Sequence, residues 1–129
     1  MRRIALVLTL LLAMLVPGSV AAASERCSLT ISPSAGSPTD VYRIAVAGVP
    51  IDPLGGSVEV RIDIRRLGSR DRSIIFAFLI PGVTAFYVDY NQSFESEPPN
   101  SLVPGRYLVS ASTPHINGGC RAVGQFVVG

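Results

Sequence analysis

The sequence has no lysine, no tryptophan, one histidine and two cysteines, and each scarcity narrows the chemistry. His115 is the only imidazole, so any Ser/His/Asp triad or copper-type site has to be built on it. A copper carrier would need more histidine or methionine. Both methionines, Met1 and Met14, fall in the N-terminal segment. No G-x-S-x-G elbow is present, so a Ser/His/Asp hydrolase has no sequence signature. Beyond the N-terminal segment no stretch has convincing helical spacing. No second long apolar run follows, and the chain ends Phe126-Val127-Val128-Gly129 as a strand would. Every basic residue is arginine, which reads as a habit of composition and not as a functional signal.

Met1–Ala23 has the layout of a signal peptide. Arg2 and Arg3 form a positive start, Ile4 to Val16 an apolar run broken by Pro17-Gly18, and Ala21-Ala22-Ala23 the small residues before cleavage. The apolar run is shorter than the ~20 residues of a membrane-spanning helix. Cys27 follows Ser24-Glu25-Arg26 and is not placed for lipidation. An exported, secreted or periplasmic protein with no membrane insertion after cleavage is therefore expected. The full chain carries 11 basic and 9 acidic residues, and losing Arg2 and Arg3 leaves 9 against 9. The nominal positive charge belongs to the targeting segment and gives no support to nucleic-acid binding.

Residues 24–129 have the size of one domain. In an exported chain Cys27 and Cys120 read as a disulfide closing nearly all of it. A metal pair or a reactive thiol is the alternative, and only His115 lies near either cysteine in sequence. The organising stretch is Ser57 to Ile80. Val58, Val60, Ile62 and Ile64 alternate against Glu59, Arg61, Asp63 and Arg65, the period of a half-buried strand. After the polar turn Leu67–Arg72, the run Ile74 to Ile80 completes a hairpin, apolar on both faces. Further strands are expected at Ser28–Ser32, Val41–Gly48, Thr84–Tyr90, Arg106–Ser112 and Cys120–Val128, separated by Gly, Pro, Ser and Asn turns. Tyr42, Ile44 and Val46, then Phe86, Val88 and Tyr90, then Tyr107, Val109 and Ala111, then Ala122, Gly124, Phe126 and Val128 form the expected inward sets. About seven short strands at this spacing predict an all-β antiparallel sandwich.

Cys27-Ser-Leu-Thr-Ile-Ser-Pro33, the Gly/Ser/Pro loop after it and Val41–Gly48 resemble the opening of bacterial immunoglobulin-like domains of the E-set or IPT/TIG type. Pro104-Gly-Arg-Tyr107-Leu-Val109 resembles their penultimate strand entry, and Cys120-Arg-Ala-Val-Gly-Gln-Phe-Val-Val128 their last strand. The resemblance implies an immunoglobulin-like sandwich. In it Tyr107 would put its ring in the core and its hydroxyl on nearby backbone, and the first and last strands would run side by side and parallel. Two features depart from the pattern: Thr84–Pro104 is longer than a compact domain needs, and a glycine-rich doublet is missing. Such domains act as spacers, adhesion modules or binding accessories.

Several local features bear on a site. Asp89, Asn91, Ser93, Glu95 and Glu97 place oxygen side chains at alternate positions, but Phe94 and Asn100 stand where an EF-hand needs glycine and a bidentate glutamate. Asn91-Gln92-Ser93 is a formal glycosylation sequon. Arg65, Arg66, Arg70 and Arg72 cluster at the hairpin tip; such a basic group can bind phosphate, sulfate or acidic glycans, but Asp63 and Asp71 are interleaved and would neutralise part of it, which suits a solvated tip. If Ile74, Phe76, Phe78 and Ile80 face the core, then Ile75, Ala77 and Leu79 face outward beside Tyr87. Ile75, Leu79 and Tyr87 would then form a partner surface, unless the loop Asn91–Pro104 folds over it. The expected function is that of a non-enzymatic binding, adhesion or structural module with a protein or glycan partner and no cofactor. Alternatives are a protease-inhibitor-like domain presenting loop 50–56, 91–104 or 113–119, and a small hydrolase, which would need His115 gathered with carboxylates in a pocket.

Overall fold

The computed structural model describes residues 27–93, 100–116 and 119–129. The expected signal segment, Met1–Ala23, lies outside these residues. Eight strands are present among them: β1 (Ser28–Ser32), β2 (Ala35–Gly36), β3 (Tyr42–Ala47), β4 (Val58–Arg66), β5 (Arg72–Leu79), β6 (Phe86–Tyr90), β7 (Gly105–Ser112) and β8 (Arg121–Val128). They form two sheets, one ordered β1-β3-β6 and the other β2-β8-β7-β4-β5. The all-β sandwich expected from the sequence is the architecture found.

Alternation builds the core. On β4, Val58, Val60, Ile62 and Ile64 are buried, and Tyr42, Ile44 and Val46 of β3 meet them from the other sheet. Full burial of such a side chain is worth roughly 1.5–3 kcal/mol. Phe126 of β8 lies between two tyrosines: Tyr107 stacks at 4.9 Å between ring centroids and Tyr42 at 4.5 Å, while Tyr90 meets its edge at 6.3 Å. Each buried phenol keeps its hydroxyl satisfied. Tyr107 donates to the Val103 carbonyl at 2.6 Å and Tyr42 to the Ser37 carbonyl at 2.7 Å. Tyr107 therefore has the core ring and backbone-bonded hydroxyl expected of it. Desolvation raises the pKa of both phenols, with Asp40 adding to the effect at Tyr42.

The chain changes sheets early. Strand β1 pairs antiparallel with β3, whereas the two residues of β2 pair in parallel with Val127 and Val128 of β8. The expected parallel neighbour of the last strand is thus β2, not β1. The strand β2 is hidden in the turn-rich stretch Pro33–Asp40. Strand β1 instead packs across the sandwich from β8. Gly124 leaves room for Leu29 at this crossing: a Cβ there would come within 2.5 Å of Leu29 Cδ2, and the leucine end would have to shift. The Cys27–Cys120 disulfide, with Cα atoms 5.7 Å apart, then ties the start of β1 in one sheet to the start of β8 in the other.

Strand β5 is turned over relative to expectation. Leu79 is 6% exposed and Ile75 and Ala77 pack against the core, while Phe76 is 52% and Phe78 70% exposed, with Ile74 and Ile80 exposed beside them. Register gives the reason. Val58 pairs with Leu79, Val60 with Ala77 and Ile62 with Ile75, and directly opposed residues share a face. The loop sets that register. The Arg66 amide donates to the Asp71 carbonyl at 3.3 Å, enclosing an even number of residues, so even positions of β4 oppose odd positions of β5. Ile75 and Leu79 are therefore core and form no partner surface. Tyr87 is exposed, but it projects from β6 on the outer face of the other sheet, under the Arg43 guanidinium at 3.9 Å from its ring centroid.

Candidate functional site

The outer face of the five-stranded sheet follows from the same registers. Outward positions are odd on β4 and β8 and even on β5 and β7, so they line up in rows across the strands. One row reads Phe76, Arg61, Ser112, Arg121; the next reads Ile74, Asp63, Ser110, Val123; a third reads Arg72, Arg65, Leu108, Gln125. Apolar side chains thus form a stripe along the edge strand β5, and arginines stand inward of it. This surface combines residues that the sequence keeps 60 positions apart, from Arg61 to Arg121.

Asp63 is the carboxylate at the centre. The Arg72 guanidinium reaches it through Nε at 3.0 and 2.9 Å and through a further contact from Nη2, and Arg61 Nη2 lies 3.8 Å away. These cations hold the Asp63 carboxyl below the usual carboxylate range, the Arg72 hydrogen bond contributing most. The face around it is shallow. A concavity of about 240 Å³ is lined by Asp63, Arg65, Arg72, Ser110 and Arg121 with Leu108 and Val123. At the hairpin tip, Arg66 pairs with Asp71 at 2.8 Å. The interleaved acids therefore neutralise part of the tip, as expected, while Arg65 and Arg72 belong to the sheet face.

A second concavity, of about 480 Å³, opens where the apolar stripe meets the loops, between Phe78, Leu54, Ile116, His115, Glu59, Asp52 and Ser57. His115 Nε2 stands 2.7 Å from Glu59 Oε2. The structure thus brings the lone histidine and two carboxylates to one hollow. Their bonding is not that of a triad. Asp52 accepts from the Leu54 amide at 3.0 Å and the Gly56 amide at 3.2 Å, which shapes its own loop. Among the described residues no hydroxyl is hydrogen-bonded to the imidazole, and the His115 side chain is 76% exposed. The loop that Asp52 shapes carries Leu54 at its tip, exposed over nearly its whole surface.

The other sequence features resolve into structural roles. Arg43 forms a bidentate pair with Asp89 at 2.9 and 3.1 Å, lowering the Asp89 pKa through that hydrogen bond. The Asn91 amide donates to the Pro38 and Asp40 carbonyls, each at 3.0 Å. Two members of the oxygen-rich run are thereby engaged elsewhere, and Glu95 and Glu97 lie outside the described residues. Among the described residues no group of three or more His, Cys, Asp or Glu side chains comes together to hold a metal. The C-terminal end of the long loop packs away from the apolar stripe, with Leu102 donating its amide to the Pro38 carbonyl at 2.9 Å.

No family model matches the chain, and no curated protein matches it. Among solved structures, the fold is similar to a superoxide reductase (neelaredoxin) from Ignicoccus hospitalis, with a TM-score of 0.52 and 7% identity over 81% of this chain and 80% of that one. It is also similar to part of a β-glucosidase from Erythrobacter marinus, with a TM-score of 0.50 and 13% identity, covering 79% of this chain and 15% of that one. At these identities the likeness is one of fold alone.

Proposed function

We propose that the protein is an exported, non-catalytic binding module of the immunoglobulin-like kind, which meets a protein or glycan partner with the outer face of its five-stranded sheet. The stripe Ile74, Phe76 and Phe78 carries this reading. Scattered exposed apolar residues are ordinary, but a row of them on an open-edged strand favours aggregation unless something covers it. The inter-sheet disulfide is compatible with export, and no helix of the described residues is long and apolar enough to cross a membrane. The test is recovery of partners from the source cell's surface and medium on immobilised oxidised protein. Wild type is compared with Phe76→Asp/Phe78→Asp, whose outward positions leave the core intact. Loss of a specific partner at unchanged secondary structure is expected; identical recovery refutes the reading.

A second reading rests on the loop 50–56. Asp52 bonds to two amides of that loop, which hold Leu54 in a fixed, projecting position, as an inhibitor presents a residue to a protease. Leu54→Asp separates the two. It abolishes binding on the inhibitor reading and leaves it largely intact if β5 is the contact.

A further inference from the structure

We infer that the outer face of the five-stranded sheet binds an anionic polysaccharide, its acid groups on Arg65 and Arg121 and its sugar rings against Phe76 and Phe78. The inference rests on the proposed reading of this face as the contact surface, and it names the ligand's chemistry.

The first support is the distribution of charge. The outward positions of β4, β5, β7 and β8 hold Arg61, Arg65, Arg72, Arg106 and Arg121 against Glu59 and Asp63. The rest of the described surface holds three arginines, Arg43, Arg66 and Arg70, against four acids, Asp40, Asp52, Asp71 and Asp89. All the net positive charge of the described residues therefore lies on one face, on a chain whose expected mature form is neutral overall. Both acids of that face already have partners, Asp63 in Arg72 and, at 3.8 Å, Arg61, and Glu59 in His115 at 2.7 Å. Among the described residues Arg65, Arg106 and Arg121 have no carboxylate within ion-pair distance. A guanidinium left open in this way presents a planar fork suited to a carboxylate, sulfate or phosphate oxygen pair.

The second support is the geometry. Outward positions recur every second residue, about 6.6 Å along a strand, and neighbouring strands lie about 4.8 Å apart, so the cations form a two-dimensional grid. A polymer with a repeating acid group can engage several grid points at once, and its effective local concentration rises with each. Ser110 and Ser112 supply hydroxyls between the arginines, and the exposed Phe76 and Phe78 rings border them on the β5 side. An acidic peptide has a different preferred seat. Its backbone would add as a strand to the edge of β5, which has no strand partner among the described residues, and would make little use of Arg121 three strands away.

The test uses oxidised mature protein and affinity electrophoresis or calorimetry with four probes. Alginate supplies carboxylates, dextran sulfate supplies sulfates, dextran is the neutral control, and poly-glutamate is the peptide control. Binding to one or both anionic polysaccharides is expected, weakening as salt screens the face, and dextran should not bind. Arg65→Gln/Arg121→Gln should reduce affinity at least about tenfold, while Arg43→Gln/Arg70→Gln, one on the other sheet and one at the hairpin tip beyond the sheet rows, should change it less than about twofold. Preference for alginate over dextran sulfate, or the reverse, identifies the acid group. The inference is overturned if poly-glutamate binds as well as the polysaccharides, if both double variants lose affinity equally, or if no anionic probe binds. Should the polysaccharide arm fail while Phe76→Asp/Phe78→Asp still abolishes recovery of a cellular partner, the ligand class is wrong and the contact surface stands.

Discussion

Adjacent residues on β5 should respond oppositely to truncation. Leu79 is 6% exposed beneath Val58, and Phe78 is 70% exposed beside Glu59. Leu79→Ala removes three buried carbons, about 2.4 kcal/mol of transfer free energy, and the remaining cavity brings the cost to about 3–4 kcal/mol. Phe78→Thr keeps a β-branched residue at a strand position. It forfeits only the covered part of the ring, roughly 60 Å² or about 1.5 kcal/mol as an upper bound, part of which the unfolded chain and the threonine recover. Its net cost should stay below about 1 kcal/mol. In a domain of this size a loss of 1 kcal/mol lowers the melting temperature by about 4–8 °C. Leu79→Ala should therefore melt at least about 12 °C below wild type, and Phe78→Thr within about 8 °C of it. Thermal melts of the oxidised proteins, followed by circular dichroism and repeated as urea titrations, read both. Equal losses, or the larger loss at Phe78, would place the phenylalanines inside and invert the face on which the proposed contact depends.

The disulfide spans a sequence separation of 93 residues; chain-entropy considerations give about 4–5 kcal/mol for such a loop, so Cys27→Ser/Cys120→Ser should lower the urea midpoint sharply or leave the domain unfolded at 37 °C. Tyr107→Phe keeps the stack on Phe126 and removes the bond to the Val103 carbonyl, at an expected cost of about 1–2 kcal/mol in urea titration; no measurable change would mean that this hydroxyl does not hold the corner. Asp63 has a folded-state pKa depressed by Arg72, so its contribution is complete above the unfolded-state value near 3.9 and disappears as pH falls through the lower folded value. Wild type should exceed Asp63→Asn in stability at pH 7 by no more than about 1 kcal/mol, because the pair is on the surface, and the gap should close as pH falls through the depressed folded value; a gap that widens in acid would contradict the assignment.

The legibility of this chain depends on how far each strand's two faces differ in chemistry. Strand β4 alternates aliphatic with charged residues, and only one register hides four aliphatics and exposes Glu59, Arg61, Asp63 and Arg65, so its inward set could be read directly. The same holds for Tyr42, Ile44 and Val46 and for Tyr107, Val109 and Ala111. Strand β5 is apolar on both faces, with Ile74, Phe76 and Phe78 on one and Ile75, Ala77 and Leu79 on the other, and side-chain size points the wrong way, since the larger residues are outside. What decides its orientation is the even count of residues enclosed by Arg66 and Asp71, a backbone constraint that hydropathy does not register. Strand β2 was hidden for a related reason: two residues carry no period, and Ala35-Gly36 becomes a strand only because β8 offers an edge. The arginine face depends on register even more. Arg61 and Arg121 share a row because Arg61 opposes Ser112 on β7 and Ser112 opposes Arg121 on β8, two pairings that no local pattern encodes. Outward positions need only be tolerated by water, so packing leaves their identity open. Five of the eight described arginines gathered on one such face, against two of the six described acids, are therefore more informative about a ligand than the same residues would be within a core.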